Sequence, residues 1–534
     1  MSGIATLVLL NGQVYTMDPN RPVASAIALR GDEIIAVGSD DMVKSLGGEE
    51  IDLDGRCVTP GLVDAHVHFS YYAKGLSQVE LMNVTSLDEA LALIRARVDQ
   101  IEPGKWVLGR GWTLAIMPDG EFPTAAMLDE ISTQHPMIFP DKSGHAAWAN
   151  SLALRLAGIT DSTPDPDGGQ IVRDAAGKAT GILFETGVHM VRNIVPNPTT
   201  AELADMMRVA QQKCWEGGLI GLHDFDDRDC FLALQSLHQN GELGLRMVKN
   251  IPQARLDYAI GVGLQSGFGD DWLRIGGIKI FADGALGPRT ALMIAPYEGE
   301  PNNYGIAVTD KEEMMAISSK ASANGLSVTV HAIGDKANHD ILDVYEAVRG
   351  EEAARGESPR KLRHRIEHVQ VLHADDLNRL AQLNVIASMQ PIHCVSDMFM
   401  AEKNWGDRSK YSYAWRTMLD SGAVLAFGSD SPVEPIEPLY GIHAAVTRQR
   451  LDGSGGSDGW YGEQKLTMAE TIHAFTMGPA ITCSQEVRQG SLTPGKLADI
   501  TIYDRNIFEV SHDELKETKI AGTIVGGKVR YRTW

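Results

Sequence analysis

A chain of 534 residues, 43% hydrophobic and 22% charged, has the composition of an ordinary globular protein and exceeds one small domain. Its 70 acidic residues against 48 basic ones give a net charge of −22. That balance argues against nucleic acid and anionic membranes as partners, because both demand a basic face. Five scattered cysteines, Cys57, Cys214, Cys230, Cys394 and Cys483, include no Cys-x-x-Cys pair, so neither a disulfide framework nor a thiolate zinc site is expected. A reducing, cytoplasmic setting follows as the default. The opening ten residues lack the basic region and cleavage site of a signal peptide, and no apolar run approaches the roughly 18 residues of a membrane span.

Residues 1–57 read as short strands at Thr6 to Leu10, Val14 to Met17, Ala26 to Arg30 and Glu33 to Val37. Asn11-Gly12 and Gly31-Asp32 separate the first and last pairs and are hairpin signals. At the other end, Asp499 to Tyr503, Ile520 to Val525 and Lys528 to Tyr531 are again strand-like. Neither end can bury a core alone, so residues 1–57 and 484–534 are expected to pair into one composite β-sandwich.

From Val58 the pattern changes to apolar strands alternating with helical stretches, which signals a parallel sheet. Eight strands are expected, at 62–68, 219–223, 245–249, 275–281, 326–331, 364–369, 384–389 and 423–428. The fold class is therefore α/β, a (β/α)8 barrel over 58–483. No Gly-x-Gly-x-x-Gly opens a helix after the first strand, which weighs against a doubly wound fold. Residues 70–195 break the rhythm. They hold a helix at 86–101, a strand from Trp106 to Trp112, and at 161–182 a loop rich in Asp, Pro and Gly with a short hairpin around Asp174 to Lys178, and they read as a cap insertion over the barrel mouth.

Chemistry in such barrels sits where strands end. The first strand, Leu62-Val63-Asp64-Ala65-His66-Val67-His68, ends in two histidines of one parity, half of a metal site. Lys279 stands on the fourth strand, His331 ends the fifth, His368 the sixth, and Asp430 follows the eighth. Each is costly among apolar neighbours without a partner. Lys279 alone could pair with an acid or form a Schiff base. Four His, one Lys and one Asp at five strand ends point together to a metal centre.

These stretches resemble the amidohydrolase superfamily, and within it the amidohydrolase-3 group of YtcJ-like and N-substituted formamide deformylase-like proteins. The resemblance rests on Thr59-Pro60-Gly61-Leu62-Val63-Asp64-Ala65-His66-Val67-His68, Lys279-Ile280-Phe281-Ala282-Asp283-Gly284, His331-Ala332-Ile333-Gly334-Asp335, Arg365-Ile366-Glu367-His368, Ser388-Met389-Gln390-Pro391 and Phe427-Gly428-Ser429-Asp430. It implies that His66, His68 and Asp430 hold one divalent metal, that His331 and His368 hold a second, and that Lys279, if carbamylated, bridges them. Imidazole and carboxylate ligands suit zinc. One-metal members of the superfamily also occur, and there His331 would polarise the carbonyl. Asp430 is implied as general base and then general acid.

Asp64 and Asp283 are candidates to orient the ligands. Tyr72, Trp112, His145, Trp148, Arg289 and Met389 are candidate substrate contacts, with Tyr71 adding to an apolar, partly aromatic pocket. Thr113 to Asp119 departs from the family pattern. The expected activity is hydrolysis of a C–N bond in an N-substituted amide, a formamide or a cyclic amide. Esters or phosphoesters, decarboxylation and hydration are the alternatives on this scaffold. A non-catalytic barrel protein would have lost ligands, and every expected ligand position is occupied. A small-molecule substrate and a homodimer complete the expectation.

Overall fold

A computed structural model describes residues 4–117 and 120–534. Met1 to Gly3, at the start of the segment inspected for a signal, and Pro118 and Asp119, which end the divergent stretch, lie outside the described residues. The described chain forms two compact units, residues 1–72 with 207–534, and residues 73–206.

In the first unit both ends of the chain contribute to two sheets. One runs Glu33–Gly38, Ala26–Arg30, Leu7–Leu10, Glu49–Asp52, and the other Lys528–Arg532, Ile520–Val525, Ile500–Tyr503, Cys57–Pro60, Gln13–Tyr15, Val23–Ala24. The join between termini is the antiparallel pairing of Ile500–Tyr503 with Cys57–Pro60. Leu7, Leu9, Val14, Ile27, Val58, Ile500 and Ile524 close a shared core. Gly31-Asp32 makes the expected hairpin, with Arg30 opposite Glu33.

Asn11-Gly12 does not make a hairpin. Leu7–Leu10 pairs with Ala26–Arg30 and Glu49–Asp52, whereas Gln13–Tyr15 pairs with Val23–Ala24 and Cys57–Pro60. Asn11, at φ 56°, instead turns the chain from one sheet into the other, a conformation that asparagine tolerates.

Eight parallel strands follow in one sheet: Leu62–Val67, Leu219–Asp224, Arg246–Pro252, Leu273–Phe281, Ser327–Ala332, Arg365–His368, Ile386–Met389 and Leu425–Phe427. The ring closes between its last and first members. Asp430 N donates to His66 O and His68 N to Ser431 O, both at 2.8 Å. The structure is thus a (β/α)8 barrel. Barrel and terminal sheets are joined by a buried ion pair, in which Arg246 of the third strand donates through Nη2 to Asp499 Oδ1 at 2.8 Å.

The second unit carries a six-stranded sheet in the order Gly169–Arg173, Ala179–Glu185, Ala146–Ala149, Met137–Pro140, Val107–Arg110, Val79–Glu80. Helix Leu87–Val98 starts at Ser86, whose side chain accepts from Glu89 N, and buries Ala90 and Ile94 in the unit's core. The stretch 161–182, read as loop from its Asp, Pro and Gly, contains more strand than that composition suggests. The hairpin at Asp174 to Lys178, where Asp174 N donates to Lys178 O at 2.9 Å, pins strands Gly169–Arg173 and Ala179–Glu185, which bury Ile182 on one face and Ile171 and Leu183 on the other. Among the described residues no helix is long and apolar enough to cross a membrane.

Candidate metal centre

The first barrel strand is buried along its whole length, and its end is fixed by Asp64. That carboxylate accepts from His66 N at 2.9 Å and from Ser429 N at 3.0 Å, tying the first strand to the loop after the eighth. Asp64 fits only because residue 428 is glycine: a Cβ there would lie 2.4 Å from Asp64 Oδ1. Burial pushes the Asp64 carboxyl up to about 7, against the pull of these donors.

Each of the four histidine candidates has one ring nitrogen anchored. His66 Nδ1 donates to Glu367 Oε2 at 2.7 Å, His68 Nδ1 to Asp226 Oδ1 at 2.9 Å, and His368 Nδ1 to Gln390 Oε1 at 2.8 Å. His331 is anchored through the other nitrogen, Nε2, which donates to Gly284 O at 2.8 Å. Such partners fix the tautomer and raise the basicity of the remaining nitrogen. His66 Nε2 and His68 Nε2 then stand 3.5 and 3.7 Å from Asp430 Oδ1. Ring centroids are 5.1 Å apart for His66 and His368, and 4.6 Å for His331 and His368. Ligand atoms of His66, His368 and Asp430 all lie within 4.8 Å of one another. The spacing fits one divalent ion among them.

The electrostatics match. Burial pulls His66 and His368 well below the ordinary imidazole range and His331 down to about 3, so these three offer neutral nitrogens. Burial acts on His68 in the same direction, yet the Asp226 carboxylate outweighs it and raises that ring. Burial pushes Asp430 up to about 6 against His68 and Lys279. Lys279 is buried with no hydrogen-bond partner among the described residues, its Nζ 4.6 Å from the Phe225 ring centre and 4.9 Å from that of Phe281. Burial lowers its ammonium to about 8. An orphaned amine beside a carboxylate–imidazole set is a polar group awaiting a partner from outside the chain. The donors present therefore fit a metal.

His368 and Asp430 both adopt left-handed backbone, with φ 76° and 62°, strain that persists where the surroundings over-determine a conformation. For His368 the consequence is direct. Arg365 and Glu367 share the interior parity of the sixth strand, so regular alternation would turn His368 outward. The left-handed step turns it back toward His66.

Three comparisons with known proteins bear on the family of this chain. The model of a family described as "Amidohydrolase family" matches residues 49–531. The chain belongs to the amidohydrolase family. The protein LONG AFTER FAR-RED 3 of Arabidopsis thaliana is 34% identical over 99% of this chain and 92% of its own. The N-substituted formamide deformylase of Arthrobacter pascens is 27% identical over 99% of each. In a solved structure, an uncharacterized metal-dependent hydrolase of Pyrococcus horikoshii aligns with a TM-score of 0.77 and 29% identity, covering 95% of this chain and 99% of that one.

The remaining residues named from sequence divide by place. Asp283 accepts from Leu292 N, Ile333 N and Gly334 N at 2.9, 3.0 and 2.8 Å, and so braces the loops after the fourth and fifth strands beside His331, 3.6 Å away. Tyr72 lies on helix Phe69–Leu76, its N donating to His68 O at 2.9 Å, and Met389 is buried at the end of the seventh strand. Arg289 pairs with Glu300. Trp112 and Trp148 belong to the core of the second unit. Both are buried there, with indole N–H groups committed to Phe139 O and Thr124 O at 2.6 and 2.8 Å. His145, in the same unit, is exposed and bonds Glu185 at 3.1 Å.

Sequence reasoning missed several members of this amidohydrolase centre. Glu367, Asp226 and Gln390 orient the imidazoles. Lys249 Nζ donates to Asp224 Oδ2 at 2.6 Å and to the Asp226 carbonyl, which neutralises the cluster of Asp224, Asp226 and Cys230. His393 was missed as well. Its Nε2 lies 3.8 Å from Asp430 Oδ2. Charged residues set within the apolar barrel strands, such as Lys249 and Glu367, were the available signal, since such groups need partners.

Proposed function

We propose that the protein is a metal-dependent hydrolase of a C–N bond in a small N-substituted amide, formamide or cyclic amide. The observation that carries this reading is Asp430. Its Oδ1 faces the Nε2 atoms of His66 and His68 at 3.5 and 3.7 Å, while burial holds its carboxyl near 6, poised to exchange a proton near neutrality.

His66, His68 and Asp430 would hold one divalent ion, zinc by donor chemistry, with His331 and His368 holding a second in a two-metal form. When bound, the metal supplies Lewis acidity that polarises a carbonyl and acidifies water. Lys279 would serve as a carbamate: its neutral Nζ bonds the carbon of carbon dioxide and releases a proton, so that an anion replaces an orphaned amine. Asp430 takes a proton from the attacking water at a carboxylate oxygen. It returns that proton to the leaving nitrogen as the C–N bond breaks. With Nε2–H committed to the Gly284 carbonyl, neutral His331 presents Nδ1 as an acceptor, which suits a metal ligand. Exposed Tyr71, Phe281 and Val433 flank this end of the barrel and favour an apolar substituent on the substrate. The activity for which the Arthrobacter relative is named supports the formamide choice.

The test is turnover by zinc-loaded protein of N-substituted formamides, acyl-arylamides and aryl esters, with Asp430→Asn beside the wild type. Turnover of esters alone removes the C–N assignment. Full activity in Asp430→Asn removes the mechanism.

A further inference from the structure

His393 is the third residue of helix Pro391–Trp405, which begins where the seventh barrel strand ends. Proline at the first helical position and the 3.0 Å bond from His393 N to Gln390 O set the helix directly on the strand, without a connecting loop. That turn points the imidazole into the centre. Its ring lies nearly parallel to His368, at 13° and 6.0 Å between centroids, yet its Nε2 is a buried atom with no hydrogen-bond partner among the described residues. Leaving such an atom unsatisfied forfeits its hydration with nothing in return. An apolar side chain would avoid that cost, so a purely packing role does not account for histidine here.

The carboxylate of Asp430 divides its two oxygens. Oδ1 faces His66 and His68, whereas Oδ2 faces His393 Nε2 at 3.8 Å. That separation is too long for a hydrogen bond, but one heteroatom can lie within reach of both groups at once. We propose that His393 is a catalytic residue that hydrogen-bonds, through Nε2, the leaving heteroatom of the substrate, the atom to which Asp430 delivers its proton. The inference rests on the hydrolase reading above and adds where the leaving group sits. In the step itself the Asp430 O–H bond breaks, the proton goes to the leaving nitrogen, and the C–N bonding pair goes to that nitrogen. His393 exchanges no proton with solvent. An imidazole suits the place because it can donate to a lone pair or accept an N–H.

The experiment compares His393→Ala and His393→Gln with wild type as full-length zinc-loaded protein. It uses formanilides and aryl formates whose leaving groups span a range of basicity, together with zinc content and calorimetric binding of aniline. The loss in kcat/KM in His393→Ala should reach about 100-fold for the most basic leaving groups and shrink toward unity for 4-nitrophenyl formate. Gln should restore part of it, zinc per chain should stay constant, and aniline should bind about tenfold more weakly. A fall in zinc content would make His393 a ligand and overturn the proposal. So would a loss uniform across leaving groups, or aniline binding that is absent from wild type or equal in the two proteins. Turnover of esters alone would remove the amide reading while the ester series still reports on His393.

Discussion

His66 and Glu367 are 301 residues apart in sequence, yet Nδ1 of one and Oε2 of the other lie 2.7 Å apart inside the barrel. Burial would push the Glu367 carboxyl up. Arg365 and Lys279 outweigh it and hold Glu367 below its ordinary value, so His66 faces a carboxylate rather than an acid. That negative partner makes Nε2 a better donor to a dication. Glu367→Gln keeps the shape and removes the charge. Zinc affinity should fall by roughly 10–100-fold, read by competition with a chromophoric chelator, and unchanged affinity would show that His66 needs no anionic support.

Gly428 and Asp64 test the scaffold beneath the centre. A methyl at 428 would meet Asp64 Oδ1 at 2.4 Å and His66 N at 2.6 Å, and neither backbone nor a carboxylate with three donors has room to move. Gly428→Ala should destabilise the fold by about 1–3 kcal/mol, seen as a lower unfolding midpoint in urea. An unchanged midpoint would place slack at the first strand that the hydrogen bonds do not show.

Lys279 sets a dependence on carbon dioxide. Burial lowers its ammonium to about 8, so the neutral, nucleophilic form grows as pH rises through that value. Metal-stripped protein reconstituted with zinc in bicarbonate-free buffer should regain activity slowly, faster at pH 8.5 than at pH 6.5, and bicarbonate should accelerate it. Lys279→Ala should be inactive until a short carboxylic acid is supplied. Reactivation insensitive to bicarbonate would count against the carbamate.

Acid stability has a separate source. The ion-paired hydrogen bond with Arg416 is the main force holding Glu470 down to about 2, with burial opposing it and Thr467 assisting. The same carboxylate caps helix Met468–Thr482 in a capping box. A carboxyl depressed in the folded state stabilises the fold above its unfolded value. That contribution is lost as pH falls from about 4.5 toward about 2. Glu470→Gln retains a capping side chain and loses the charge, so its stability should be lower at neutral pH and flatter over that window in urea titrations.

The strand-end logic reached the candidate ligands because barrel chemistry is confined to one rim, and His66, His68 and His331 stand where strand periodicity puts them, while Asp430 follows three residues after its strand. His368 is different. Alternation from Arg365 and Glu367 points it outward, and only the left-handed backbone at that residue brings it in, which no residue pattern announces. His393 escaped because it lies past the strand, on the first turn of a helix whose junction with the strand has no loop. Asn11-Gly12 misled for the opposite reason. Local turn chemistry was right, but long-range pairing with Cys57–Pro60 sent the chain into a second sheet. Trp112 and Trp148 are candidate pocket walls by residue type, and the structure buries both in the core of the second unit, a placement that residue type does not announce.

The most direct test of the account is metal content by elemental analysis of the full-length protein, exhaustively dialysed against chelator, reloaded with zinc and desalted, with the double variant His66→Ala/His68→Ala treated in parallel. One or two zinc ions per wild-type chain, with hydrolytic activity returning in proportion and at least one ion missing from the variant, is the predicted result. A wild-type protein that hydrolyses its substrate without bound metal, or a variant that retains the full complement, would contradict it.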